Sequence, residues 1–162
     1  MDSLHLHREL VQQFKQIGLK ATAGQSHNLA LLCQTLAFSP NCHLATLALG
    51  LPLPGKREHL IQHLRRTLKN KRLQPADCYQ PLAKYVCAQW PERELNLVMD
   101  RTDLAQRWSV LTLGVAHRKR VVPLAWDVLP FGGSGSDAQT ALLQRIQPAL
   151  PDARQVRICF LR

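Results

Sequence analysis

The chain has 162 residues, 46% of them hydrophobic, and its 21 lysines and arginines outnumber its 11 aspartates and glutamates, giving a formal net charge of +10. This length and composition predict one packed domain of ordinary size, or two small ones. The charge favours a polyanionic partner, most commonly nucleic acid, although a generically basic protein has the same balance. No apolar run approaches the ~20 residues that a membrane-spanning helix needs, so we expect no membrane partner.

The N-terminus and the cysteines indicate a cytoplasmic protein. Residues 1–5 show no basic segment leading into an apolar one, so we expect no secretory signal. The five cysteines are an odd number without close pairs, which predicts reduced thiols.

Residues 1–91 show helical periodicity and no alternation typical of strands. Apolar residues recur at steps of three and four, and four of the five stripes end at a glycine or a proline, which predicts five helices. In the fourth helix, Leu60, Leu64 and Leu68 are expected to face a core. The five stripes span residues 6–17, 29–36, 44–51, 60–68 and 79–90.

The densest basic stretch is residues 56–72, where seven lysines and arginines accompany Glu58 as the single acid. A helix with such a face can lie against DNA phosphates, each neutralised charge releasing a counterion. A solvated helix face is the alternative, but the near absence of opposite charges favours DNA contact. The predicted DNA-binding residues are Arg65, Arg66, Lys69, Lys71 and Arg72.

After Pro91 the pattern changes to short segments rich in Val, Leu and Trp, which predict strands buried mostly on both faces. Trp108 and Trp126 are expected in the core. Ser136 and Gln139 have capping-box spacing at the start of a helix that precedes the last strand. The order is strand, strand, strand, helix, strand, with the strands at residues 95–100, 108–116, 121–129 and 156–161.

Three adjacent cations, Arg118, Lys119 and Arg120, lie at the predicted hairpin tip between the second and third strands. Because three neighbouring charges cannot all pair internally, they are a second candidate contact to a phosphate backbone. A solvated turn explains them nearly as well.

Asp100 stands where the first strand is predicted to end. A carboxylate fixed at the end of a central strand can bind a divalent cation such as Mg²⁺, which prefers carboxylate oxygens. Because Asp100-Arg101-Thr102-Asp103 is also good turn chemistry, a structural cap is the alternative for Asp100 and the favoured interpretation for Asp103.

These segments together resemble the DDE transposases of bacterial insertion sequences, in the branch that has a helical region before an RNase H-like catalytic domain. The resemblance covers the chain from about residue 40 onward. It depends most on the Asp-Arg-Thr-Asp and Val-Pro-Leu-Ala-Trp motifs. The matching segments are residues 64–70, 100–103, 113–115, 122–126 and 133–136.

The resemblance implies an α+β fold with a helical N-terminal DNA-binding region, residues 1–91, followed by an incomplete RNase H-like mixed sheet (β-β-β-α-β), residues 92–162. Asp100 would be the first catalytic acid and a ligand of Mg²⁺. The family's second Asp follows the fourth strand and its Glu comes later, and no residue up to Arg162 is assigned to either role. We therefore expect a truncated transposase that binds the terminal repeats of its element but neither cuts nor joins DNA alone.

Two other functions remain open from the sequence: a non-catalytic DNA-binding regulator derived from a transposase, and a small α/β binding domain without a nucleic-acid role. A sheet ending at the fourth strand would leave an open edge and apolar surface. We therefore expect self-association and low solubility, unless helices of the first half cover that surface.

Overall fold

The computed structural model describes residues 3–91, 94–133, 135–151 and 155–160. In these ranges the chain forms six α-helices, a short 3₁₀ helix and one four-stranded mixed sheet, with five of the helices preceding the sheet. The predicted α+β class is thus confirmed. The chain divides into two compact units, Met1–Cys78 and Tyr79–Arg162.

The first unit is helical, and each predicted apolar stripe corresponds to one helix. The loops between the first four helices contain glycine or proline, neither of which favours continuing a helix, and Pro75 is the first residue of α5. The helices are α1 (Ser3–Gln16), α2 (Ala23–Phe38), α3 (Leu44–Gly50), α4 (Arg57–Leu68) and α5 (Pro75–Ala88), the last of which continues into the second unit.

A capping box fixes the start of α2. The Thr22 hydroxyl accepts a hydrogen bond of 3.3 Å from the Gln25 backbone N–H, and the Gln25 side-chain oxygen accepts one of 2.7 Å from the Thr22 N–H. Two N–H groups that a helix start leaves unpaired are thereby satisfied.

The core of the first unit lies where α2, α3 and α4 meet. Leu64 faces this core and is fully buried, with Leu60 packed against it. The expectation for Leu68 was wrong, because this side chain is 59% exposed: it is the last residue of α4, beyond the packed layer. The buried members of the cluster are Leu31, Leu47, Ala48, Leu51 and Leu64.

The second unit contains the sheet, whose strand order is β3-β2-β1-β4. The first three strands form an antiparallel meander, and β4 pairs with β1 in parallel after the helix α6. The predicted order β-β-β-α-β is confirmed. The elements are β1 (Glu94–Leu104), β2 (Trp108–His117), β3 (Arg120–Pro130), α6 (Ser136–Ile146), the 3₁₀ helix Gln147–Ala149 and β4 (Gln155–Phe160), with Leu161 outside the described residues.

One face of the sheet forms the core of this unit. Leu97 lies opposite Val115 and Met99 opposite Leu113, and all four are buried on this face. Burial on both faces was wrong for the strands as a whole: β1 alternates between buried and half-buried residues up to Met99, and it is exposed from Asp100 onward.

One side of α5 and the residues just after it belong to the same core. Ala83 and Cys87 of α5, and Trp90 just past its end, are buried in one cluster with the sheet residues and with Leu142 and Ile146 of α6. The division between the units therefore falls within α5, before the composition change at Pro91 that defined residues 1–91 in the sequence.

The expected capping box at Ser136 was wrong. The first residue of α6 is Ser136 itself, and its N-cap is Gly135, whose carbonyl accepts a hydrogen bond of 3.2 Å from the Gln139 N–H. A glycine has no side chain with which to cap. Ser134, in the same glycine-rich loop, lies outside the described residues.

Candidate nucleic-acid interface

The predicted cations of α4 lie together on its exposed side. Arg65 and Arg66 are in the last turn and Lys69 is the C-cap, and all three are exposed. At 3.6 residues per turn, these positions fall on the side opposite Leu60 and Leu64, which pack into the core. Positive charge at this end of α4 is also favoured by the helix dipole.

The turn after α4 adds Lys71 and Arg72, both exposed. The Asn70 side chain accepts a hydrogen bond of 3.1 Å from the Arg72 N–H, and the Gln74 amide donates one to the Lys71 carbonyl. These backbone contacts shape the turn and leave both cationic side chains pointing to solvent. We name the five cations from Arg65 to Arg72 the α4 basic surface.

No ion pair between residues that the structure describes involves the α4 basic surface. Glu58, the acid of this stretch, lies in the first turn of α4, at the opposite end of the helix. The surface therefore presents cations that internal carboxylates do not neutralise, as a phosphate-binding surface requires.

The hairpin tip between β2 and β3 presents the second set of cations. His117 pairs with Arg120, which leaves Arg118 and Lys119 as the two loop residues, and Arg118, Lys119 and Arg120 are all exposed. Arg118 has a positive φ of 56°, a conformation that favours glycine in such tight turns. This tip belongs to the second unit, whereas the α4 basic surface belongs to the first.

Asp100 lies within β1 and not at its end. The strand continues to Leu104, so Thr102 and Asp103 are strand residues and not the predicted turn. Asp100 is exposed, pairs with Thr112 of β2, and directly follows Met99, which forms the last described pair with β4 opposite Phe160.

The residues around Asp100 do not fit a Mg²⁺ site. Throughout the described ranges, no group of three or more His, Cys, Asp or Glu is placed to hold a metal ion. Asp103, on the same strand, instead accepts a hydrogen bond of 2.6 Å from the Ser109 hydroxyl and lies 3.5 Å from Arg101. One exposed carboxylate is a poor ligand set for an ion that gives up its waters reluctantly, and we derive no metal chemistry from it.

Sequence reasoning missed a cluster of three histidines in the first unit. The rings of His7 in α1 and His27 in α2 are in edge contact, with centroids 4.5 Å apart. Desolvation lowers the pKa of His27 below its usual value, and the nearby His7 and His63 lower it further. Histidines on separate helices carry no spacing signal, so only the fold brings them together.

Two thiols of the first unit, those of Cys33 and Cys78, are partly buried, whereas Cys42 is exposed. Burial raises the pKa of Cys33, and the neighbouring Cys78 raises it further. Burial likewise raises the pKa of Cys78, with Asp77 adding to the shift. All five cysteines are free, and the higher pKa values keep Cys33 and Cys78 in the less reactive thiol form.

Comparison with protein-family models, with curated proteins and with solved structures finds no match to this chain. Among the helices described, none is both long enough and apolar enough to cross a membrane. The described residues form an α+β protein with one basic surface in each unit and an exposed acid on the first strand of its sheet.

Proposed function

We propose that this chain is a DNA-binding protein related to the DDE transposases of insertion sequences, and that the α4 basic surface contacts the phosphate backbone of duplex DNA. The observation that carries the proposal is the set of exposed cations from Arg65 to Arg72, none of which is paired with a described carboxylate. Such a surface binds duplex DNA by releasing counterions and needs no base contact.

The relation to transposases is supported by two features besides the motifs. The sheet has the β-β-β-α-β order that an RNase H-like domain implies, with β4 parallel to β1. Asp100 lies on β1 just past its last described pair with β4, on the strand where the family has its first acid. The proposed DNA target is accordingly the terminal repeat of an element, and the proposed location is the cytoplasm.

Binding of duplex DNA, followed by fluorescence anisotropy over a range of salt concentrations, tests the proposal. Each phosphate contact lowers the slope of log K against log salt by about 0.9. Replacing Arg65, Arg66 and Lys69 together by Gln should make the slope shallower by about 2 to 3 and weaken binding on all sequences.

A matched control removes the same charge elsewhere in the first unit. Arg8, Lys15 and Lys20 are also exposed, and replacing all three by Gln lowers the net charge equally. The slope of log K against log salt should stay close to the wild-type value in this control variant. Equal losses in the two triple variants would mean that only the total charge matters, and the proposal for α4 would be wrong.

The hairpin tip is the second part of the proposal. Replacing Arg118, Lys119 and Arg120 by Gln, tested separately, measures whether this tip adds phosphate contacts of its own. A slope unchanged from the wild type would remove the tip from the interface and leave the α4 basic surface as the proposed site.

We also propose that this chain alone does not cleave DNA, because Asp100 belongs to no group of three or more metal-binding side chains among the described residues. A nicking assay on element-end DNA with Mg²⁺ or Mn²⁺ should show no product. Cleavage that the Asp100→Asn variant abolishes would overturn this and make the chain a nuclease.

Self-association through β4 is the remaining proposal. Val156, Ile158 and Phe160 are exposed on the strand that pairs with β1 along one side. An exposed apolar edge strand is a template for pairing with another chain. Sedimentation should show concentration-dependent association that an Ile158→Lys variant reduces, whereas a monomer at all concentrations would contradict it.

A further inference from the structure

The end of the sheet that lies farthest from the β2–β3 tip presents exposed aromatic side chains. Trp108, the first residue of β2, is 47% exposed, and Phe131, just after β3, is 52% exposed. The expectation that Trp108 lies in the core was therefore wrong. Trp90 is 8% exposed, and Trp126 is half-buried against the ring of Tyr79.

The two aromatic residues and one arginine are joined through the backbone. Trp108 pairs with Pro130, and the Phe131 N–H donates a hydrogen bond of 3.1 Å to the carbonyl of Arg107. Arg107 is itself exposed in the turn between β1 and β2. We name Arg107, Trp108 and Phe131 the aromatic end.

A hydrogen-bond network centred on the buried Ser109 holds the backbone beneath the aromatic end. Ser109 is fully buried, and its hydroxyl donates a hydrogen bond of 2.6 Å to Asp103 and accepts one of 3.2 Å from the Gly132 N–H. The strand start at Trp108 and the loop after Phe131 are thereby tied to the same side chain. Two aromatic residues are exposed on a fixed support, and not on a loose loop.

The sheet surface beside Trp108 carries no charge for two rows of residues. Trp108 lies opposite the exposed Leu104, and the next row on this face contains Thr102, Val110 and Val128. The acid Asp100 is four residues along β1 from Leu104, which is about 13 Å. On the opposite face of the sheet, the Asp103 carboxylate accepts the hydrogen bond from Ser109 and lies 3.5 Å from Arg101. Arg107 forms no ion pair with a residue that the structure describes, so it offers a cation beside the aromatic residues that favours an anionic ligand.

We propose that the aromatic end binds the unpaired bases of a DNA strand, with bases stacked on Trp108 and Phe131 and a phosphate at Arg107. This inference rests on the proposed function and extends it from duplex backbone contact to single-stranded DNA. Exposed aromatic side chains beside a cation are the combination that binds single strands without base readout, because every base has a face that can stack.

The test compares an oligo-dT of about 20 nucleotides, longer than a typical single-strand contact of about 4 to 16 nucleotides, with an abasic oligomer of equal length and charge. In the wild-type chain, oligo-dT should quench tryptophan emission, whereas the abasic oligomer should bind more weakly and quench little. Replacing Trp108 by Leu should weaken oligo-dT binding about 5- to 150-fold without changing the salt slope. Replacing it by Phe should retain most of the affinity.

Phe38 provides the matched control, because it is an exposed aromatic residue of the first unit. Its replacement by Ala should leave oligo-dT binding unchanged. Equal affinity for the abasic oligomer, or tryptophan emission that responds to anionic phospholipid vesicles and not to oligo-dT, would overturn the inference. Duplex binding through the α4 basic surface would stand in either case, since the Arg65, Arg66 and Lys69 triple variant tests it separately.

Discussion

The guanidinium of Arg145 donates two hydrogen bonds to the carboxylate of Asp127, at 2.8 and 2.9 Å, and so joins α6 to β3. A third, longer contact of 3.4 Å reaches the Trp126 carbonyl. Both charged side chains are about one-third exposed, so water screens the pair only in part. The bidentate geometry fixes α6 over the buried face of the sheet more specifically than apolar packing alone can.

Replacing Asp127 by Asn should lower the free energy of unfolding by about 1 kcal/mol, allowing for the partial exposure of the pair. The physical reason is the loss of a charge-assisted acceptor for Arg145. Urea unfolding measures the change. Glu94→Gln is the control, since the Arg157–Glu94 contact of 3.3 Å is more exposed and should contribute less than about 0.5 kcal/mol. Equal effects of the two variants would contradict the distinction.

Removing a side-chain hydroxyl should lower the stability of the protein more at the start of α2 than at the start of α6. Thr22→Ala should destabilise the protein by about 1 kcal/mol, because Thr22 caps α2. Ser136→Ala should change stability by less than about 0.5 kcal/mol, because Ser136 is the first helical residue and not the cap. Thermal or urea unfolding of both variants measures this, and a larger cost at Ser136 would restore the capping box that the sequence suggests.

The turn between β1 and β2 places Ala105 and Gln106 at positive φ, 51° and 52°. A left-handed conformation costs an alanine about 1 kcal/mol, which a glycine avoids. Because glycine also gives the unfolded chain more conformational entropy, Ala105→Gly should raise the free energy of unfolding by only about 0.5 kcal/mol. Ala141, exposed in α6, is the control. There the same change should cost about 1 kcal/mol. Loss of stability at both positions would show that the turn is not left-handed.

Acid should weaken the first unit through His27. Its pKa is lowered in the folded chain by desolvation, and then by His7 and His63, so the unfolded chain binds the proton more readily. The stabilising contribution is therefore present above about pH 6.5 and falls as the pH drops toward the folded pKa. Because His27 is exposed, the change is small.

The measurement compares urea midpoints at about pH 5 and pH 7, which bracket the usual pKa of histidine. His27→Asn should reduce the difference between the urea midpoints at the two pH values. His59→Asn, at an exposed position of α4, should leave it as in the wild type. An unchanged pH dependence in the His27 variant would remove this residue from acid sensitivity.

The elements of the fold could be predicted because periodicity reports directly on which side of each element is buried. What periodicity cannot report is where the covering layer ends. Leu68 continues the stripe of Leu60 and Leu64 but lies past the packed layer, and Trp108 has the residue type of a core but lies at the uncovered end of β2. Both errors arise from tertiary context beyond the range of a local pattern.

In the candidate site too, some features could be predicted from the sequence and others could not. Exposure of the cations from Arg65 to Arg72 could be predicted from composition, since unpaired charges avoid burial. The position of Asp100 inside the strand could not be predicted, because a strand continues past a polar residue when its partner strand extends equally far. Here β1 remains paired with β2 as far as Leu104, which lies opposite Trp108. The contacts among the histidines could not be predicted for a different reason: they join α1, α2 and α4, which are far apart in the sequence.

The membership of α5 in the sheet's core has a practical consequence for dissecting the protein. A recombinant fragment that begins after Pro91 would include every strand, yet it would lack Ala83, Cys87 and Trp90 and expose the apolar groups that they cover. Such a fragment should precipitate or bind chaperones for reasons unrelated to its biological role. A fragment that retains the whole of α5 is the sound starting point for studying the sheet in isolation.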